Sequence, residues 1–163
     1  MTDSLTTYLH DHMAGANFGV DLLAALADRN SDNPLGPFAY AMRMEVEQDR
    51  EVLRHLIERT GDSPATVKEA AGWLSEKVSR AKLAWSSDKA LGTFEALEAI
   101  SLGVAGKLAL WQALMMVAPE DPRLSYLDLK NLAERAEKQR AQIEERRLTA
   151  AAFALRSVAE KIA

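Results

Sequence analysis

Helix breakers divide this chain more firmly than any motif does. Asn30-Ser31-Asp32-Asn33-Pro34, Gly61-Asp62-Ser63-Pro64, Ser86-Ser87-Asp88 and Pro119-Glu120-Asp121-Pro122 each gather residues that cap helices, compete for backbone hydrogen bonds or cannot continue a helix. Between them run segments rich in Ala and Leu with apolar residues three and four apart, the period of a helix with one buried face. The first, second and fourth segments hold roughly 27 residues each, about 40 Å at 1.5 Å per residue. Equal lengths predict helices lying side by side. An all-α bundle follows, in one domain over residues 1–163, long enough to bury a sizeable core.

The first helix is predicted from Asp3 or Ser4 to Arg29, and the second from Pro34 to Gly61. The third, from Ser63 to about Ser86, is a few residues shorter. The fourth begins between Leu91 and Thr93, and the fifth runs without a breaker from Pro122 to the end of the chain. Short loops join one to two and four to five, which makes two antiparallel hairpins. The third segment then has the length of a connection from one end of the bundle to the other, with Trp73 and Trp85 as its anchors. A five-helix up-and-down bundle traces the same directions and differs only in whether the third helix shares the core.

Two hairpins joined by a crossover is the ferritin-like topology, and the sequence is similar to small bacterial ferritin-like proteins. The matching positions are Tyr8-Leu9-x-Asp11-His12-x-Ala14-Gly15-Ala16 on helix one and Glu45-Val46-Glu47-Gln48-Asp49-Arg50 on helix two. Trp73-Leu74-x-Glu76-Lys77 and Gly92-Thr93-Phe94-Glu95-Ala96-Leu97-Glu98 extend the likeness over nearly the whole chain. The resemblance implies a ferritin-like four-helix bundle with a helical crossover and an extended C-terminal helix. It also raises a di-iron centre, which such proteins build from a Glu on each of two helices and Glu-x-x-His on each of the others. Both histidines of that pattern are missing. Helix two offers Glu45-x-x-Gln48, and helix five offers Glu134-x-x-Glu137 or Glu137-x-x-Arg140.

The seam of the first helix, Leu5, Leu9, His12, Ala16, Gly19, Leu23 and Leu26, puts a histidine and two very small residues where a bundle normally places leucine. Counted from the bundle end at Ser4, Thr60, Val117 and Asp121, His12 falls near the level of Asp49 and Glu45, with Gln139, Glu98 and Arg140 above. A polar band inside the bundle is predicted. Its structural form pairs His12 with Asp49 or Glu45, and Glu98 with Arg140, because buried carboxylates need partners. Its metal form has His12, Glu45, Asp49 and Glu98 hold iron or manganese. A third form leaves the space beside Gly15, Ala16, Gly19 and Ala105 to a small apolar or amphipathic ligand. His10 and His55 are placed on the surface; Trp111 and the Met13, Met42, Met44, Met115 and Met116 set are placed in the core.

The 163 residues contain no cysteine, which removes disulfides, thiolate metal sites and thiol nucleophiles. A net charge of −4 argues against a broad nucleic-acid or anionic-membrane surface, and the basic Arg140, Arg146 and Arg147 have Glu137, Glu144 and Glu145 beside them. No leader and no membrane-spanning run is read from the sequence, so a cytoplasmic protein is expected. There is no Gly-rich phosphate loop and no nucleophile elbow. The function expected is a structural or interaction module with a degenerate or absent di-iron site, for which no catalytic residue is assigned. The alternatives are a metal-binding protein or di-iron-type oxidoreductase, and a binder of a small apolar ligand. Ala150, Phe153, Ala154 and Val158 form an apolar stripe beyond the end of a simple bundle. Burying it gains several kcal/mol at ~25 cal/mol per Å², so the C-terminal helix is expected to make a homodimer or to fold back.

Overall fold

The computed structural model describes residues 3–61 and 88–156. The predicted third helix, with Trp73 and Trp85, lies outside the described residues, as does Val158. Four α-helices fill the remainder: α1 (Ser4–Arg29), α2 (Leu35–Arg59), α3 (Lys89–Val117) and α4 (Leu129–Ala154), with a 3-10 turn at Pro122–Leu124. The described chain is an all-α bundle.

Three of the four α-helices start on an aspartate whose side chain caps them. Asp3 accepts from the backbone N–H of Leu5, Asp88 from those of Ala90 and Leu91, and Asp128 from that of Asn131. The turn from α1 to α2 is a small hydrogen-bonded knot. The buried Asn30 donates its amide to Leu26 O at 2.9 Å and accepts from the Asn33 amide at 3.1 Å, while Asn33 Oδ1 caps Leu35 N at 2.9 Å. Gly36 sits so close to this knot that a Cβ there would stand 2.4 Å from the Asn30 carbonyl oxygen. Gly61, at φ 86°, ends α2 in the left-handed region that glycine adopts without penalty.

Two apolar clusters make the core. One gathers Leu9 and Met13 of α1, Leu53 and Leu56 of α2, Trp111 and Leu114 of α3, and Leu129 to Ala136 of α4, closed below by Leu124 from the 3-10 turn. The other gathers Leu22 and Leu26, Met42 and Val46, Leu97 and Ile100, and Ile143. Trp111 is core, as expected. Arg123 fastens the first end by bonding both Asp121, at 2.7 Å, and Asp3, at 2.7 Å.

The fifth predicted helix is corrected at both ends. The chain makes a 3-10 turn after Pro122 and opens α4 only at Leu129, because Asp128 provides a second cap and Leu124 is drawn into the core. At its other end the helix stops before Leu155. It has 26 residues against 29 in α3, so it is not the longest helix. Every position on it drops seven residues toward the first end, and the expected overhang shrinks with it: Ala150 packs against the second core cluster and Ala154 is buried.

Helix α3 departs from expectation in another way. An 18-residue window of it has mean hydropathy 1.5, long and apolar enough by composition to cross a membrane, although only 28% of that window is buried. Leu102 (70% exposed) and Met116 (81%) stand on its outer side, and Met44 is also exposed, so the methionines are not all core.

Candidate functional site

The middle of the bundle carries its polar centre. Asp49, Lys107 and Gln139 lie eleven positions from the caps Thr60, Ala118 and Asp128, all at the same end, which sets three helices to present polar side chains at one level. Asp49 is 3% exposed and Gln139 1%. Lys107 Nζ bonds Asp49 Oδ2 at 2.5 Å and also donates to Gln139 Oε1. The Gln139 amide donates in turn to Asp49 Oδ2 at 3.2 Å and to Glu45 Oε2 at 3.0 Å. Arg135 completes the group, with Nε 3.3 Å from Asp49 Oδ1 and Nη2 donating to Gln48 Oε1 at 2.8 Å and to the Glu45 carbonyl at 3.0 Å.

The charges in this group balance: Asp49 and Glu45 against Lys107 and Arg135. Burial pushes the Lys107 ammonium below the ordinary lysine range, and the neighbouring Asp49 carboxylate opposes that shift. Such a network is costly to break and adds little net stability while intact.

Of the four residues considered as metal ligands, Glu45 and Asp49 are brought together, bridged by Gln139. His12 shares a cavity wall with Asp49, but no hydrogen bond joins it to either carboxylate. It stands edge-on to Tyr8, ring centroids 4.6 Å apart, and burial lowers its pKa against the pull of Asp11. Glu98 points outward to Arg147 at 3.2 Å, not to Arg140, which is exposed. Arg147 holds Glu144 as well, and Arg146 holds Glu145 while lying over Phe38. Two cations and an amide occupy the donor oxygens that a metal would need. Among the described residues, no group of three or more His, Asp or Glu is arranged to hold a metal ion, and the residues present do not fit a di-iron pair.

His55 is exposed, as expected, with Glu51 3.4 Å away. His10 is not a surface residue: it is 9% exposed. Ala105 faces outward, and Gly103 takes its place beside the internal space.

Lys107 and Arg135 were missed in the sequence. For Lys107 a signal existed: it is the sole charge between Ala99 and Val117, and a lone cation in an apolar helix wants a buried anion. Arg135 was hidden by the misplaced start of its helix.

No family model matches the chain, and no curated protein or solved structure matches it either.

Proposed function

We propose that this chain is a ferritin-like bundle whose centre is a neutral ion-pair network in place of a di-iron site, and that it serves as a structural or interaction module without catalysis. One observation carries the reading: the Lys107 ammonium sits on Asp49, supplying inside the protein the positive charge that a metal supplies in a di-iron centre. The end of α2 and the end of α3 meet in one cluster, so these helices run the same way, a direction that the ferritin-like topology and a five-helix up-and-down bundle share. Lys89 at the start of α3 lies 3.5 Å from Asp32 in the α1–α2 turn, at the end away from Gly61.

Elemental analysis of protein purified without added metal, followed by iron(II) titration of wild type and Glu45→Ala, tests it. The expected result is no stoichiometric iron or manganese and no uptake that depends on Glu45. Stoichiometric uptake lost in Glu45→Ala overturns the reading.

As a module the chain acts as a homodimer through the C-terminal part of α4. Phe153 and Leu155 are exposed there, beside an open groove of about 890 Å³ lined by Asn33, Lys89, Arg146 and Ala150. Truncation before Thr149 would remove the packed Ala150 and Ala154 with the exposed residues, so the test is sedimentation of Phe153→Ser/Leu155→Ser beside wild type. A wild type that sediments as a monomer removes the dimer.

A further inference from the structure

Helix α3 carries a second apolar seam on the side away from the bundle. Ala99, Leu102, Gly106, Ala109, Ala113 and Met116 follow one another in alternating steps of three and four, the period by which one helix packs along another. Leu102 is 70% exposed and Met116 81%, and Ala109 and Ala113 are exposed as well. Lys107, the sole charge between Ala99 and Val117, is turned inward to Asp49, so this face carries no charge along about 26 Å of helix. The outer faces of the other helices differ: exposed Asp11 and Asp21 stand on α1, Glu51 and Glu58 on α2, and Glu134 and Glu137 on α4. A Cβ built on Gly106 meets no atom within 4 Å, which leaves room for a close neighbour.

The sequence contains a matching seam. Val67, Ala71, Leu74, Val78, Ala81 and Trp85 also alternate steps of four and three, over about 27 Å at the rise of a helix, and belong to residues 62–87, outside those described. The two points to which that stretch is attached are described. Leu56 and Ile57, shortly before Gly61, share a core cluster with Trp111 and Leu114 near the end of α3, and the described chain resumes at Asp88, the cap at the start of the same helix. Both attachment points therefore stand beside α3, one at each end. A second copy of the chain is a poorer occupant, because one helix face of about 26 by 10 Å falls well short of the ~800 Å² that each partner of a stable dimer buries.

We propose that the outer seam of α3 is the docking surface for residues 67–85 of the same chain, which lie on it antiparallel, the apolar seam of one against the apolar seam of the other. The larger side chains of the segment, Val67, Leu74 and Val78, then meet the small ones of α3, and Leu102 and Met116 leave solvent. Charge agrees with this direction: the end of the segment that carries Arg80 and Lys82 comes to the exposed Glu95. The proposal is independent of the reading of the polar centre.

The test uses the full chain, which has no cysteine of its own to interfere with introduced pairs. Ala71→Cys is combined in turn with Leu102→Cys, Gly106→Cys and Ala109→Cys, three successive positions of the α3 seam, and with Ala141→Cys on the exposed side of α4 as the control. Under mild oxidation at least one seam pair is expected to close a disulfide within the chain, at least about ten-fold faster than the control pair, read from the faster-migrating monomer band on a non-reducing gel. Ala109→Glu supplies a second readout without any cross-link. On an open helix surface it changes little, whereas under a docked segment it buries a charge and is expected to lower the urea midpoint by about 1 M. Seam pairs that close no faster than the control overturn the proposal. Disulfides formed only between chains do so too, and assign the face to a second copy. An Ala109→Glu midpoint equal to wild type overturns it as well.

Discussion

A double-mutant cycle on Asp49 and Lys107 would measure the network at the bundle centre. Asp49 accepts from Lys107 at 2.5 Å, from Gln139 at 3.2 Å, and has Arg135 at 3.3 Å. Lys107→Met removes the shortest of these and leaves a buried carboxylate with two partners, a loss of about 3 kcal/mol, the lower end of the range for breaking a buried pair. Asp49→Leu leaves the ammonium with Gln139 alone. Its cost is also about 3 kcal/mol, because burial already lowers the Lys107 pKa and the amine sheds its charge more readily than an ordinary lysine. The double variant strands nothing charged: Gln139 still bonds Glu45 at 3.0 Å, and Arg135 still bonds Gln48 at 2.8 Å. It should lie within about 1 kcal/mol of wild type, giving a coupling of about 5 kcal/mol. Urea unfolding of the four proteins reads this directly. At an m-value of about 2 kcal/mol/M, each single variant moves its midpoint down by about 1.5 M and the double variant recovers it. Single losses that simply add in the double variant would refute the buried-pair reasoning.

Gly15→Ala, Gly19→Ala and Gly103→Ala place a methyl in open space within a helix, so each should stabilise by about 0.5–1 kcal/mol and raise the thermal midpoint; a fall at any of them would show that the space is not open. Gly36→Ala is the opposite case, since the new Cβ meets a backbone oxygen that cannot rotate away; a loss of about 2–3 kcal/mol in urea is expected, and a neutral result refutes the close approach. His12 has its pKa lowered from 6.5 by burial, so the unfolded chain binds its proton first on acidification. Its contribution is intact above pH 6.5 and declines as pH falls through 6.5 toward the lowered folded value. His12→Phe should flatten the stability profile over that interval, and a slope unchanged by the substitution would place His12 in solvent.

The helical class was legible because it rests on local signals. Asp3 caps α1 as expected, and Pro34 and Gly61 bound α2 for reasons internal to those residues, whereas α3 opens on Asp88, at Lys89 and not between Leu91 and Thr93. Register was less legible. Pro122 and Asp121 form a good helix start, but Asp128 forms another one seven residues later, and tertiary burial of Leu124 decides between them. That one choice moved Gln139 down to the level of Asp49. Burial of His10 and exposure of Ala105 were illegible for a related reason: a helix flank shows which residues share a face, not which neighbour covers it. The central position of Asp49 was read correctly from the period of α2, whereas its partners came from two helices whose relative heights the sequence did not specify.

The common level of Asp49, Lys107 and Gln139 has a consequence for how such a bundle tolerates change. All three are spaced from caps at one end, so the bundle is indexed from that end. One residue inserted between Asp128 and Gln139 would swing the amide about 100° around its helix and break the network. The same insertion beyond Ala150, or in the Asn30–Asn33 turn, would leave the centre in place. Length variation should therefore collect away from the Asp128–Gln139 stretch, where chain can be gained or lost without changing the level of the polar centre.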